Sequence, residues 1–98
     1  MFLNYLRIET LPKVLNKYHS NDGVYIGRPS KWGNPFTITK TFGRLQAIEA
    51  YRKYLESYPE LIDDAKKELK GKNLVCFCAP LPCHGDILLR IANDEEFL

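Results

Sequence analysis

The stretch Asn73-Leu74-Val75-Cys76-Phe77 decides the fold that we predict for this chain. Its residues are apolar without polar alternation, which is the pattern of a strand buried on both faces. Such strands are typical of parallel sheets, because the connecting helices cover both faces of the sheet. We therefore expect the surrounding elements to be those of a layered α/β domain.

Helix patterns lie on both sides of this strand. Residues 43–57 carry apolar side chains at helical spacing, and Pro59 restarts the chain for a second helix at residues 60–69. After the strand, residues 87–92 are predicted to form a final helix with Asp86 as its cap. Two helices thus precede the strand and one follows it.

Three further elements are predicted in the first 30 residues. Residues 2–9 alternate as a strand does, residues 11–18 show an apolar face at helical spacing, and residues 24–26 form a short β-rich run. Alternating strands and helices predict an α/β fold, a small three-layer Rossmann-like domain with a short, largely parallel sheet. The chain of 98 residues fits a single domain over residues 1–98.

Composition narrows the class of protein. A hydrophobic fraction of 45% with 27% charged residues is typical of globular domains rather than disordered chains. No apolar run approaches the roughly 20 residues of a membrane span, and the first residues do not resemble a signal peptide. Three cysteines within eight positions are unlike a disulfide framework, so we expect reduced thiols in a cytoplasmic protein without a membrane partner.

Charge is distributed unevenly along the chain. Residues 1–54 hold nine Lys and Arg against three Asp and Glu (+6), whereas residues 55–98 hold five against nine (−4), which together give the net +2. A basic half can attract phosphates, including those of nucleic acid. The same blocks are also typical of two solvated faces, so charge alone leaves the partner open.

Two loops are expected to meet and to form a ligand site. Open α/β sheets place their ligands beyond the carboxyl ends of the strands. The first loop (residues 27–36) follows residues 24–26, and the second loop (residues 78–86) follows residues 73–77. The second loop also enters a helix, whose first amides attract anions. The ligand-binding candidates are Gly27, Arg28, Ser30, Trp32, Asn34 and Gly85, and the catalytic candidates are Cys83, His84 and Asp86.

Four of the ligand-binding candidates have a chemical rationale, and three of these also have a structural alternative. Arg28 can grip a phosphate with its guanidinium, and Trp32 can stack on a base. Asn34 can pair with a base or ribose edge, and Gly85 would let a ligand approach the backbone. Equally, Trp32 could fill the core, Asn34 could tie the loop, and Gly85 could serve the turn.

The second loop also offers catalytic and metal-binding groups. His84 or Asp86 could act as acid or base, and Cys83 at a helix start could be a nucleophile with a lowered pKa. Cys76, Cys78, Cys83 and His84 match the ligand types of a Cys₃His zinc site, although the spacing C-x-C-x4-C-H is not that of a zinc finger. An iron–sulfur cluster, or a Cys76 that simply packs as a small hydrophobe, remains open.

The motifs resemble a known family. Residues 24–36 (VYIGRPSKWGNPF), 76–80 (CFCAP) and 82–86 (PCHGD) are similar to the IGR…WGNPF and CxC-x-P…CHGD signatures of small uncharacterised domains of bacteria, phages and some eukaryotes. The resemblance spans residues 24–92, and residues 11–20 look like an insertion relative to that family. It implies no catalytic assignment and names no cofactor.

These observations lead to two functional hypotheses. The first is a domain that binds a nucleotide or another phosphate-bearing small molecule between the two loops, with hydrolysis or transfer at the nucleotide if it is an enzyme. The second is a non-catalytic nucleic-acid- or protein-binding module that uses Lys31 and Trp32, with metal stabilisation through the Cys/His cluster.

Overall fold

The computed structural model describes residues 11–79 and 81–93, and the strand predicted at residues 2–9 lies outside them. The described chain contains three strands and three helices. In chain order they are β1 (Val14–Asn16), β2 (Val24–Tyr25), α1 (Arg44–Glu56), α2 (Pro59–Glu68), β3 (Leu74–Cys76) and α3 (His84–Ala92).

β3 lies at the centre of the sheet. β1 and β2 flank it on opposite sides, and both run parallel to it. All three residues of β3 are buried, in agreement with the unbroken apolar pattern of residues 73–77. The prediction of an α/β domain with a short parallel sheet is therefore confirmed.

The segment that forms β1 was predicted to be a helix, and this prediction is wrong. Val14, Leu15 and Asn16 pair with Leu74 to Cys76 of β3. Backbone bonds also flank the pairing, since the Leu74 amide donates to the Lys13 carbonyl (2.9 Å) and the Lys17 amide to the Cys76 carbonyl (2.8 Å). An apolar face of about two helical turns is too short to hold a helix against such pairing.

The three helices agree with the sequence pattern to different degrees. α1 and α2 lie within one residue of their predicted bounds, and Pro59 is the first residue of α2. In α1 the buried face consists of Ala47, Tyr51 and Leu55, whereas Leu45, predicted on that face, is 72% exposed. α3 packs against both other helices and against the sheet, which places its first turn beside the ends of the strands.

α3 begins three residues earlier than the pattern predicted. Cys83 is its N-cap, and the Cys83 sulfur accepts a hydrogen bond from the Gly85 amide at 3.3 Å. Asp86 lies inside the first turn, where its carboxylate accepts from the Cys83 amide at 3.1 Å. The capping role predicted for Asp86 therefore takes the form of a capping box rather than an N-cap.

Gly85 is required for the packing of α3 on the sheet. A Cβ atom at this position would lie 2.8 Å from Ile26 Cδ1 and 3.0 Å from Val14 Cγ2. Because glycine lacks that atom, the first turn of α3 can lie directly on the strands. The prediction that Gly85 admits a ligand to the backbone is therefore replaced by a role in the core.

No helix within residues 11–79 and 81–93 combines the length and the apolar character needed to cross a membrane.

Candidate functional site

The two loops come together around one cavity. Its volume is about 290 Å³, which is near the lower end of the roughly 300–1,000 Å³ typical of small-molecule sites. Both loops and the start of α1 contribute to the wall. The polar and aromatic side chains among its lining residues include Arg28, Asn34, Phe36, Arg44, Cys78 and His84.

His84 links the second loop to the end of β2. Its Nε2 atom lies 2.8 Å from the Ile26 carbonyl oxygen. A carbonyl can only accept, so Nε2 carries the proton and Nδ1 is the acceptor nitrogen. The ring is 8% exposed and lies edge-on to Tyr51 at 4.9 Å.

The electrostatic surroundings of His84 keep its ring neutral. Burial lowers the pKa of His84, because desolvation disfavours the charged imidazolium, and the nearby positive charge of Arg28 acts in the same direction. Among the described residues, no hydrogen bond to Nδ1 is present. Within that part of the chain, His84 therefore keeps Nδ1 as an unpaired acceptor.

Arg28 is held in place at one edge of the cavity. Its Nε atom donates to the Asn34 carbonyl at 2.9 Å, and its own carbonyl accepts from the Tyr25 hydroxyl at 2.9 Å. Within residues 11–79 and 81–93, the two terminal amino groups of the guanidinium have no hydrogen-bond partner. Arg28 is therefore the predicted ligand-binding residue whose geometry agrees best with that role.

Arg44 is a cavity residue that the sequence reasoning missed. It is the first residue of α1, and its Nη1 donates to the Pro82 carbonyl at 3.1 Å, so it bridges to the second loop. A cation in the first turn opposes the helix dipole, and α1 has no acidic residue there. That local conflict is the signal that could have identified Arg44, because such conflicts concentrate at functional sites.

The cavity carries positive charge without a matching carboxylate. Among the described residues, no Asp or Glu lines the cavity, and neither Arg28 nor Arg44 forms an ion pair. Guanidinium groups form strong, often bidentate hydrogen bonds with phosphate and carboxylate. The cavity is therefore suited to an anionic ligand.

Phe36 provides the aromatic surface that was predicted at Trp32. Its ring is 36% exposed, lines the cavity, and is supported by Tyr54 and Phe42 at centroid distances of 6.3 and 6.5 Å. Trp32 is only 3% exposed and belongs to the core. Because its side chain is buried, Trp32 is not a stacking platform; its backbone carbonyl accepts from the Tyr51 hydroxyl at 2.7 Å.

The other predicted residues of the first loop shape the loop itself. Asn34 donates from Nδ2 to the Ala47 carbonyl (3.2 Å) and accepts at Oδ1 from the Phe36 amide (2.9 Å), which uses both ends of its side chain. Ser30 accepts from the Trp32 amide at 3.3 Å. A Cβ at Gly27 would collide with the hydroxyl of Tyr25. These contacts show that all three residues shape the first loop, and for Asn34 they support the structural alternative.

The catalytic candidates of the second loop separate into different roles. Cys83 is buried, and both its contact with Cys76 and its burial raise the pKa of the Cys83 thiol, which disfavours a nucleophilic role. Asp86 is exposed and does not line the cavity; it serves as a cap. Of these three residues, His84 alone combines a place in the cavity lining with a ring nitrogen that no described residue engages.

The three cysteines form one cluster that excludes His84. Their sulfur atoms all lie within 4.8 Å of one another, and those of Cys76 and Cys83 are 3.3 Å apart. The contact from Cys83, together with the backbone amides of Cys78 and Ala79, lowers the pKa of Cys76. Within the described residues, the donor set is therefore three sulfurs rather than the predicted Cys₃His.

The fold and cavity define a small α/β domain with a parallel sheet and an arginine-bearing pocket at the loops that follow β2 and β3. Comparison with known proteins places the chain in a family, since the model of the family "Domain of unknown function (DUF4326)" matches residues 13–94. The chain belongs to this family, which confirms the resemblance drawn from the motifs. Because the match begins at residue 13, the segment that forms β1 is part of the family domain and not an insertion.

Two relatives are similar over most of their length. The "Uncharacterized 12.4 kDa protein in nrdA-td intergenic region" of Enterobacteria phage T4 is 38% identical over 94 residues, which cover 92% of this chain and 85% of the phage protein. The "Uncharacterized protein R718" of Acanthamoeba polyphaga mimivirus is 36% identical over 95 residues, or 78% of this chain and 71% of the viral protein. No solved structure matches the chain.

Proposed function

We propose that this domain binds a small phosphate-bearing ligand, a mononucleotide, in the cavity between its two loops. The observation that carries the proposal is the meeting of Arg28 and Arg44 at one cavity that, among its described lining residues, has no carboxylate. The two arginines come from different elements, so their terminal groups approach a ligand from two sides. Two oxygens of a phosphate accept two parallel N–H hydrogen bonds from one guanidinium group.

Phe36 supports the choice of a nucleotide over a simple phosphate. Its ring lies on the same cavity as the two arginines and is rigidly backed by two other aromatic rings. Stacking of a base on such a ring contributes about 1–3 kcal/mol. The limited volume favours one base, one sugar and one phosphate over a dinucleotide.

His84 supplies the group that would make the domain an enzyme. Its protonated Nε2 is fixed by Ile26, which leaves Nδ1 as an acceptor in a residue that lines the cavity. An imidazole in this tautomer accepts a proton from water or from a ligand hydroxyl, and that transfer activates a nucleophile for hydrolysis or group transfer at a nucleotide.

The alternative of a nucleic-acid- or protein-binding module finds less support in the contacts of the residues on which it relied. Lys31 Nζ lies 2.7 Å from a Glu68 carboxylate oxygen and 3.2 Å from one of Asp64. The same ammonium group lies 4.9 Å from the ring centre of the buried Trp32. Since both side chains are engaged within the domain, we favour a small-molecule ligand.

Thermal unfolding with a panel of ligands tests the proposal. The panel contains nucleoside 5′-monophosphates, the matching nucleosides, and inorganic phosphate. A ligand at 100 times its Kd stabilises a protein by about 2.7 kcal/mol, or roughly 10 °C or more for a domain of this size. We expect a monophosphate to raise Tm and its nucleoside to raise it far less. A panel in which no monophosphate raises Tm would contradict the proposal.

Arginine variants locate the ligand. The double variant Arg28→Lys, Arg44→Lys keeps the charge but loses the bidentate geometry, and Arg28→Ala, Arg44→Ala removes both. Arg52→Ala is the matched control, because Arg52 lies on α1 outside the lining residues and pairs with Glu49 and Glu56. The two cavity variants should lose most of the rise in Tm that the monophosphate causes, and the Arg52→Ala control should keep it. Equal shifts in all variants would place the ligand elsewhere.

A further inference from the structure

The three cysteines converge from separate positions in the chain. Cys76 ends β3, Cys78 lies in the turn that follows, and Cys83 caps α3. Cys76 and Cys83 are buried and Cys78 is half-buried, while Cys78 and Cys83 both line the cavity. The cluster thus extends from the core to the cavity wall.

We propose that Cys76, Cys78 and Cys83 bind one Zn²⁺ ion through their three sulfur atoms. A tetrahedral zinc ion with Zn–S distances of about 2.3 Å holds its sulfurs about 3.8 Å apart. The three sulfurs lie within 4.8 Å of one another, and the Cys76–Cys83 pair at 3.3 Å would open by about 0.5 Å. Side-chain rotation alone accommodates changes of that size.

The backbone around the cluster is already arranged for thiolate ligands. The Gly85 amide donates to the Cys83 sulfur at 3.3 Å, so a backbone N–H already faces the cluster. Such N–H groups offset the negative charge that three thiolates retain around a divalent ion.

The geometry distinguishes this site from the other metal centres that the sequence allowed. In a four-iron cluster each thiolate binds a different iron, which spreads the cysteine sulfurs further apart than a single shared ion does. His84 is not a fourth ligand, since its Nε2 is bonded to Ile26 and it lies outside the donor group. Water from the cavity completes the coordination, because Cys78 and Cys83 form part of the cavity wall.

Metal analysis and titration test this site without reference to any organic ligand. Protein purified under a reducing agent is stripped with a chelator, titrated with Zn²⁺, and measured by elemental analysis. Co²⁺ replaces Zn²⁺ in a parallel titration, because sulfur-to-cobalt charge transfer and intense d–d bands report a four-coordinate, thiolate-bound ion. We expect one ion per chain, with both spectral signatures and release of thiol protons on binding.

Two variants make the titration decisive. Cys78→Ser removes the half-buried ligand and leaves the core cysteines intact, so it should weaken binding by more than the roughly 10- to 100-fold that loss of an outer-sphere partner costs. His19→Ala removes an exposed histidine far from the cluster in sequence and should bind as the wild type does. Binding of less than about a tenth of an equivalent under reducing conditions, or unchanged affinity in Cys78→Ser, would overturn the proposal.

Discussion

His84 Nε2 and the Ile26 carbonyl oxygen lie 2.8 Å apart although the two residues are 58 positions apart in the chain. Ile26 follows β2 and precedes the first loop, and His84 is the first residue of α3. This single bond therefore joins the two loops at the base of the cavity. The arrangement of Arg28, Phe36 and Arg44 around the cavity depends on that junction.

Substitution of His84 should lower the free energy of unfolding of the domain, because it removes this hydrogen bond. His84→Ala leaves the Ile26 carbonyl without its partner and removes the contact with Tyr51, so the free energy of unfolding should fall by about 2–4 kcal/mol. His84→Gln places an amide donor near the position of Nε2 and should recover part of the loss. Urea denaturation measures both. An alanine variant as stable as the wild type would show that the bond does not hold the loops together.

A second anchor fixes the first loop to α1. The Tyr51 hydroxyl donates to the Trp32 carbonyl at 2.7 Å, and both residues are buried. Tyr51→Phe should therefore lower the free energy of unfolding by about 1–3 kcal/mol, because a buried carbonyl loses its donor. Tyr58→Phe is the control, since Tyr58 is exposed, and it should change stability by less than about 0.5 kcal/mol. Equal effects in the two variants would contradict the anchor.

Tyr51 also predicts how stability changes in alkaline solution. Burial raises the pKa of Tyr51 far above its ordinary value of 10.0. Above about pH 10 the unfolded chain loses this proton while the folded protein retains it, so the stabilisation is present below pH 10 and is lost as pH rises. Urea denaturation between about pH 9 and pH 11 should show a smaller loss in Tyr51→Phe than in the wild type. An equal loss of stability in Tyr51→Phe and in the wild type over this pH range would contradict the assignment of the effect to Tyr51.

Phe36 should distinguish the base from the phosphate of a bound nucleotide. Phe36→Leu removes the stacking surface and should weaken the binding of a nucleoside monophosphate by about 1–3 kcal/mol, or roughly 5- to 150-fold in Kd. Inorganic phosphate, which has no base, should bind both proteins equally. Phe77→Leu is a matched control, because Phe77 is also exposed and packs against Tyr18 and Tyr25 outside the cavity lining. Calorimetric titration gives both constants, and equal losses in the two variants would argue against stacking.

The sequence predicted the elements whose signals are local and long enough. The apolar stripe of α1, the proline that opens α2 and the apolar run of β3 each carry their own pattern. β1 was missed because a strand of three residues has no periodicity of its own and is defined by its pairing with β3. The start of α3 was misplaced because cysteine is an uncommon cap, and only the bond from the Gly85 amide reveals it.

The sequence predicted where the candidate site lies better than it predicted which side chains form it. The chain order of strands and loops indicated that the segments around Arg28 and His84 would be neighbours, which is a consequence of parallel topology. Which side chains face the cavity depends on packing that no local pattern encodes. Trp32 and Asn34 have suitable chemistry, but the Trp32 side chain is buried and the Asn34 amide is bonded to the Ala47 carbonyl. Arg44 comes from a helix that lies beside the second loop.

Nuclear magnetic resonance titration of ¹⁵N-labelled protein with a nucleoside 5′-monophosphate tests the central claim most directly. We predict saturable shifts in the backbone amides of Arg28, Phe36, Arg44 and His84, and in the side-chain Nε signals of the two arginines. The amides of α2 near Asp64 and Glu68, which hold Lys31, should not move. An absence of saturable shifts, or shifts confined to the surface around Lys31, would contradict a nucleotide site between the two loops.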